Sequence, residues 1–362
     1  TDNFFALGGH SLAAMQVLSR IRTQTGKEVS LSTLFKEPTV EALAKEIDSG
    51  LSGTALDAEA SHLASAIPCC DHTQPIPLSS AQQRLWFLDR FEGACATYNL
   101  LFALRLTGKL NIEARELCLN KIIVRHKSLR TIFAEVAGRG VQLVQPQLSL
   151  EILVEAVADE AAIAEQLKQE AQTPFDLETG PLLRAKLLQI KPTQHVLMLT
   201  MHHIIADGWS MALIVQEVMA LYRGGDRPAL PELPVQYVDY AVWQQQQQQK
   251  EAIKNRLENR AAQLSDAPPM LNQPTDFPRP AVQTFNGGLV RRTISVSLSN
   301  QLKTFSQQRG TTLFTTLMSA FSVLMYRYSQ QSDLVIATPI AGREHPDLEN
   351  LIGFFVNTLP LS

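Results

Sequence analysis

Apolar and polar positions divide the chain into three stretches. Over residues 1–49 the apolar ones return at helical spacing. Leu12, Met15 and Ile21, with Leu18 between them, predict one helix closed by Gly26; Val40, Leu43 and Ile47 predict a second behind a Thr39 cap. So few anchors make only a small core. Residues 50–74 are rich in Ala, Ser, Gly and Asp without a clear period and read as a linker. From 75 to 362 short apolar runs alternate with helical patterns, which predicts an α/β domain. His195 to Met201 reads as a buried strand. Met211, Ile214, Val215, Val218 and Tyr222 fall on one face of the helix after it, which stops at Gly224-Gly225. Residues 228–234 hold three prolines and read as extended loop, and the glutamine run Gln244–Gln249 as an exposed helix or loop. A second connection, 265–290, holds five prolines and divides the large domain into lobes 75–264 and 265–362. The chain opens on Thr1-Asp2-Asn3-Phe4-Phe5 and closes on Thr358-Leu359-Pro360-Leu361-Ser362. Both ends read as the inside of a domain, so the chain is expected to be part of something larger.

Composition narrows the function. Across 362 residues, 32 Lys and Arg face 35 Asp and Glu, a formal charge of −3, and 45% of residues are hydrophobic. That is the make-up of a folded protein, and it lacks the basic excess of a dedicated nucleic-acid binder. No stretch approaches the ~20 apolar residues of a membrane helix, and no signal peptide opens the chain. Cys69, Cys70, Cys95 and Cys118 fit no metal-binding spacing and read as free thiols in a reducing cytoplasm, with no metal expected.

Two strings carry chemistry. In Leu7-Gly8-Gly9-His10-Ser11-Leu12 the glycines let backbone approach a ligand closely, and Ser11 stands where the first helix begins. Free N–H groups and the positive helix end there favour an anion, so a phosphate ester on Ser11 is electrostatically welcome; a simple N-cap is the other reading. The second string is Met201-His202-His203-Ile204-Ile205-Ala206-Asp207-Gly208-Trp209-Ser210, between the buried strand and its helix. Neighbouring strand residues point to opposite faces, so at most one of His202 and His203 reaches a given cleft. Neutral imidazole there can accept a proton or hold a nucleophile. Asp207 is placed to cap the helix through Trp209 or Ser210. No third ligand has a telling spacing for a metal.

The wider first string, Asp2-x-Phe4-Phe5-x-x-Gly8-Gly9-His10-Ser11-Leu12, resembles the core motif of peptidyl carrier domains of nonribosomal peptide synthetases. The resemblance implies that residues 1–49 are an incomplete four-helix carrier and that Ser11 bears 4′-phosphopantetheine, with an aminoacyl or peptidyl thioester on its thiol. Gly8, Gly9 and His10 would shape the modification site; Leu12 and Met15 face either partner domains or the core. The second string, H-H-x-x-x-D-G, resembles the signature of the synthetases' condensation domains, whose fold is two-lobed, α/β and chloramphenicol-acetyltransferase-like. Four more strings are similar to that family's motifs in order. They are Ser79-x-Ala81-Gln82-x-Arg84-Leu85-Trp86-Phe87-Leu88, Arg125-His126-Lys127-Ser128-Leu129-Arg130-Thr131-x-Phe133, Tyr237-x-Asp239-Tyr240-Ala241-x-Trp243 and Ile352-Gly353-x-Phe355-Val356-Asn357-Thr358. Lys127 departs from the pattern, which usually has Glu there. The family's last motifs do not appear.

The resemblance implies a reaction. A donor thioester on an upstream carrier and an aminoacyl group on a downstream carrier enter opposite sides of a cleft between lobes, and the acceptor amine attacks the donor carbonyl. Of the histidine pair, His202 and His203, His203 is the central residue, either as general base or by orienting the amine. Asp207 is expected to pair with an arginine, Arg130 first and Arg125 second. Gly208 leaves room for substrate and offers an N–H. Asn357 either adds an amide contact or ends a strand, and Trp86, Trp209 and Trp243 pack. The implied partners are an adenylation domain, the downstream carrier and a phosphopantetheinyl transferase. His10 and the Ala81–Leu88 string favour condensation over epimerisation, and a heterocyclising D-x-x-x-x-D is absent. With only isolated His62 and His72 near the domain start, an L-to-L type is expected over a dual epimerising-condensing one. A silent carrier-docking scaffold is the alternative from another class.

Overall fold

A computed structural model describes residues 66–93, 95–223, 230–249, 251–268, 270–278, 280, 287–343 and 345–361, with 2, 4, 17, 18, 20, 21, 24, 25, 27, 29, 33, 34 and 37–49 of the N-terminal stretch. The chain forms two compact units. One comprises Thr1–Gln247 with Ala341–Val356, the other Gln248–Ile340 with Asn357–Ser362. The expected lobe boundary at 264/265 therefore falls earlier, and the excursion of 341–356 back into the first unit was not expected at all.

In the N-terminal stretch, helix α1 (Val40–Ser49) starts where Thr39 Oγ1 accepts the Ala42 N–H at 3.2 Å, as the cap predicts. Leu43 is buried with Val29 and Leu34, and Ile47 packs beside them, but Val40 is 79% exposed. In the first turn the apolar stripe has not yet rotated onto the core.

Residues 66–74, expected as linker, are fastened to the first unit. Ile67 is buried with Val235, Tyr237 and Phe355, and the Cys70 N–H donates to Asp239 Oδ1 at 2.7 Å. After them come β1 (Ile76–Pro77), α2 (Ser80–Glu92), β2 (Asn99–Thr107), α3 (Ile112–Arg125), a 3-10 turn (Lys127–Arg130), β3 (Thr131–Val136), β4 (Arg139–Val144), β5 (Leu153–Ala156), α4 (Glu160–Gln172), β6 (Leu183–Lys191), β7 (Gln194–His202), α5 (Gly208–Arg223) and α6 (Tyr237–Gln248). Side-chain caps begin α2, α3 and α4: a Ser79–Gln82 capping box, Asn111 and Asp159 in turn.

Four strands make the main sheet in the order β2-β7-β6-β5, with β7 antiparallel to both neighbours and β5 parallel to β6; β1-β4-β3 make a second. Every β7 residue after Gln194 is buried, as expected of a strand paired on both sides. Helix α5 turns Met211, Leu213, Ile214, Val218 and Leu221 into the same core as α2, α3 and the sheet. The glutamine run is helical to Gln248. Two of its members are structural: Gln244 Oε1 accepts the Ser80 N–H at 2.9 Å, and Gln245 donates to Leu78 O at 3.0 Å.

The second unit contains α7 (Glu251–Gln263), α8 (Val296–Gln308), α9 (Leu313–Ser329) and an antiparallel pair, β8 (Ile336–Ile340) with β9 (Asn357–Leu361). The described residues between 268 and 295 form no helix or strand, in keeping with their prolines. Among the described residues no helix is long and apolar enough to cross a membrane.

Candidate functional site

The β7 strand ends at His202, and the chain turns sharply into α5. The two histidines have different surroundings. His202 is 2% exposed, edge-on to the rings of Tyr98 and Phe175, and its Nδ1 accepts the Ile204 N–H at 3.1 Å. Burial, with His203 beside it, lowers its pKa to about 4, so it is neutral across the physiological range. His202 therefore shapes the turn.

His203 is half-buried. Its N–H donates to Tyr98 O at 2.8 Å, and its Nδ1 lies 2.9 Å from Ala206 O. A carbonyl only accepts, so Nδ1 carries the proton and Nε2 the lone pair. The ring of Phe354 stands edge-on to the imidazole at 4.7 Å.

Asp207 is wholly buried and sits at the centre of a network. It caps α5 by accepting the Ser210 N–H at 2.8 Å. The Ser210 hydroxyl donates to Asp207 Oδ1 at 2.7 Å and accepts from the Gly353 N–H at 3.1 Å, while the Phe355 N–H donates to Asp207 Oδ2 at 3.2 Å. Its charge partner is Arg343, whose Nη2 lies 3.1 Å from Oδ1. This corrects the expected pairing with Arg130 or Arg125. Arg130 donates to Gln145 O, and Arg125 is held by Glu217 at 3.2 Å and Pro231 O at 2.5 Å. Arg343 also donates to Leu348 O and Leu351 O at 2.6 and 2.7 Å. Burial pushes the guanidinium pKa down while Asp207 pulls it back up. The pair ties the 341–356 excursion to the histidine turn, a contact between residues 136 apart that no local spacing could announce.

A Cβ on Gly208 would meet nothing within 4 Å, so the position faces open space, as expected. Asn357 is exposed in β9 and accepts its neighbour's Thr358 N–H at 2.9 Å, a strand-end role. Trp209 donates to Glu349 O at 2.9 Å. Gly8, Gly9, His10 and Ser11 lie outside the described residues.

Among the described residues one group has metal-ligating types within reach, Cys70, His72 and Asp239. Lys127, the departure from the family pattern, settles its chemistry. Its ammonium donates to His72 Nδ1, so His72 Nε2 carries the proton and donates to Asp239 Oδ1 at 2.7 Å. A cation on one ring nitrogen and a proton on the other leave no imidazole lone pair for a metal. Burial raises Asp239, but bonds from His72, Cys70 and Gln236 outweigh it and hold the carboxyl below its usual range. Burial and Asp239 push the Cys70 thiol up to about 12, far from a reactive thiolate. The group staples residues 70–72 to α6.

Sequence reasoning assigned no role to Arg343, Tyr237, Gln82 or Phe354. Tyr237 and Gln82 are named in motif strings, Phe354 fills an unspecified position of one, and Arg343 follows Gly342, which takes φ 64° where a Cβ would strike Phe355 O.

Comparison with known proteins identifies the family. The family model for the Condensation domain matches residues 72–362, and that for the Phosphopantetheine attachment site matches residues 1–47. A linear gramicidin synthase protein of Brevibacillus parabrevis is 43% identical over 369 residues, covering 99% of this chain and 5% of that protein. Gramicidin S synthase 2 of Aneurinibacillus migulanus is 40% identical, covering 99% and 8%. The chain thus spans less than a tenth of the length of these relatives. Among solved structures, the X-domain from teicoplanin biosynthesis has a TM-score of 0.74 at 27% identity, covering 82% of this chain and 67% of that one. A four-domain nonribosomal peptide synthetase, holo-AB3403, has 0.72 at 28%, covering 80% and 22%. The first condensation domain of the CDA synthetase, at 17% identity and a TM-score of 0.67, shares the fold, which is the chloramphenicol-acetyltransferase-like one expected. With its motifs in order and its histidine turn built as described, the chain belongs to the condensation domains of the nonribosomal peptide synthetases, with a phosphopantetheine attachment region ahead of that domain.

Proposed function

We propose that the chain joins a donor acyl group to an acceptor amine, with His203 the group that meets the amine. The carrying observation is the Nδ1 bond to Ala206 O, which presents Nε2 as a hydrogen-bond acceptor. In the reaction a C–N bond forms at the donor thioester carbonyl, the C–S bond breaks, and the amine proton ends on the departing sulfur. Nε2 holds the neutral amine by its N–H and relays that proton or steadies the positive charge on nitrogen. Holding both substrates side by side supplies most of the rate. Asp207 and Arg343 keep the turn in shape without touching substrate, and Gly208 leaves room for its approach. His202 supports the turn from beneath, and Asn357 plays no chemical part.

Ser11 is the proposed attachment point of 4′-phosphopantetheine, framed by Gly8, Gly9 and His10; the arm supplies a thiol that carries an acyl group as a thioester. An adenylation domain, a downstream carrier and a phosphopantetheinyl transferase are the proposed partners, in the cytoplasm, where the four thiols stay free. L-configured donors and acceptors are the proposed substrates. In the intact synthetase with loaded donor and acceptor carriers, amide formation followed by mass spectrometry should fall at least about a hundredfold in His203→Ala. Parent-level yield would remove His203 from the mechanism. Treatment with a phosphopantetheinyl transferase and coenzyme A should add the arm to the parent and not to Ser11→Ala. Donors of D configuration should be passed on more slowly than L.

The likeness to a teicoplanin X-domain that was solved in complex with OxyB supports a second reading, a docking scaffold without chemistry. It predicts no amide product from parent or variant.

A further inference from the structure

The Nδ1 bond fixes one side of the His203 imidazole. The other restraint is the edge-on ring of Phe354. Phe354 lies in residues 351–356, which have neither helix nor strand to hold them. Tyr237 holds them instead, in three ways. Its hydroxyl donates to Phe354 O at 2.6 Å. Its ring lies so close to Gly353 that a Cβ there would come within 2.0 Å. The Phe355 ring stands against it at 4.8 Å and 75°.

The hydroxyl is itself directed. Because it donates to a carbonyl, it accepts from Ser79 Oγ at 2.8 Å. Ser79 is locked by Gln82, whose Oε1 accepts the Ser79 N–H at 3.0 Å and whose N–H donates to Ser79 Oγ at 3.2 Å. The Gln82 amide then donates to Ile204 O at 3.2 Å, one residue beyond His203. The circuit Gln82–Ser79–Tyr237–Phe354 therefore starts and finishes beside the same imidazole, and all four members are buried. Burial holds the Tyr237 phenol well above its usual range, so it remains a donor wherever the protein is folded.

We propose that Tyr237 is a positioning residue for the reaction: through the Phe354 carbonyl it holds the Phe354 ring against His203 and so fixes the direction in which Nε2 presents its lone pair. This rests on His203 being the group that meets the amine. Tyr237 acts through Phe354 and does not reach substrate. Removing its hydroxyl leaves a buried carbonyl and a buried Ser79 hydroxyl each short of a partner, and the Phe354 segment has to shift to find replacements. A displacement of about 1 Å in a reacting group can lower a rate about a hundredfold.

The test is a double-mutant cycle in the intact synthetase containing this chain. Single-turnover amide formation is measured per natively folded molecule against a range of aminoacyl-thioester acceptor concentrations. The variants are Tyr237→Phe, Ser79→Ala, His203→Ala and Tyr237→Phe/His203→Ala. The expected result for Tyr237→Phe is a maximal rate down about tenfold or more, with the acceptor concentration for half-maximal rate changed less than about twofold. In the His203→Ala background the same substitution should change the residual rate less than about twofold, because its route of action is gone. Ser79→Ala should lose rate in the same direction by a smaller factor.

The proposal is overturned if Tyr237→Phe lowers the rate by the same factor in both backgrounds, or leaves the parent rate intact while His203→Ala is inactive. Should Tyr237→Phe fail to fold, Ser79→Ala decides, and an undiminished rate there overturns it. If His203→Ala itself keeps the parent rate, the reading of His203 has failed, and the cycle shows which of the two ideas is wrong.

Discussion

Helices α5 and α9 are built from much the same residues and meet opposite fates. Helix α5, in the first unit, lies against a four-stranded sheet and buries Met211, Leu213, Ile214, Val218 and Leu221. Helix α9, in the second, leaves Phe314, Leu317, Phe321, Leu324 and Tyr328 exposed, Phe314 by 55%. The only sheet in its unit among the described residues is a two-stranded pair, too small to cover an apolar helix of 17 residues. Periodicity decides that an element is a helix; the area of its partner decides whether its apolar face is buried. Within these 362 residues the first unit is thus where a single change should be felt, and the second where it should be tolerated.

That contrast can be broken or sharpened by four measurements, from the largest expected effect to the smallest. Replacing Arg343 by Met leaves Asp207 buried without its counter-charge, and the first unit should lose about 3–5 kcal/mol in urea unfolding. An unchanged midpoint would show the pair is solvated. Acid should come next. His202 titrates near 4 when folded and near 6.5 when unfolded, so the unfolded chain takes up its proton first as pH falls. Stability should therefore drop between pH 6.5 and 4, by on the order of 3 kcal/mol from this residue. His202→Asn keeps an acceptor for the Ile204 N–H and should flatten that slope; a slope identical to the parent's would assign it to other groups. Gly353→Ala drives a methyl into the Tyr237 ring and should cost about 2 kcal/mol, read as a lower melting temperature. In the second unit, Phe314→Gln should alter stability by less than about 0.5 kcal/mol while reducing the binding of an apolar dye. A large loss of stability there would mean that α9 is covered in solution.

Legibility followed the same division. The β7 strand, the α5 face, the Thr39 cap and the Asp207 cap each depend on residues a few positions apart, and each was readable. That only one of His202 and His203 is open to a cleft was expected from strand alternation, although His203 itself lies just past the strand end. Arg343 was missed because the excursion of 341–356 is a matter of topology, and which arginine pairs with Asp207 turns on which segment passes it. Lys127 registered only as a departure; its reason lies at His72, on a stretch that composition marks as linker. Gln244 and Gln245 were hidden by repetition, since six like residues in a row do not reveal which of them face the protein.

The staple made by Lys127, His72 and Asp239 bears on travel. It helps fasten residues 66–74, which read as linker, to the first unit. Nine extended residues span about 30 Å at most, and a stretch pinned in this way adds none of that length to any tether. A glutamate at position 127 would face the same histidine with the opposite sign, so a substitution far from any reacting atom would decide whether this stretch is held down or let go.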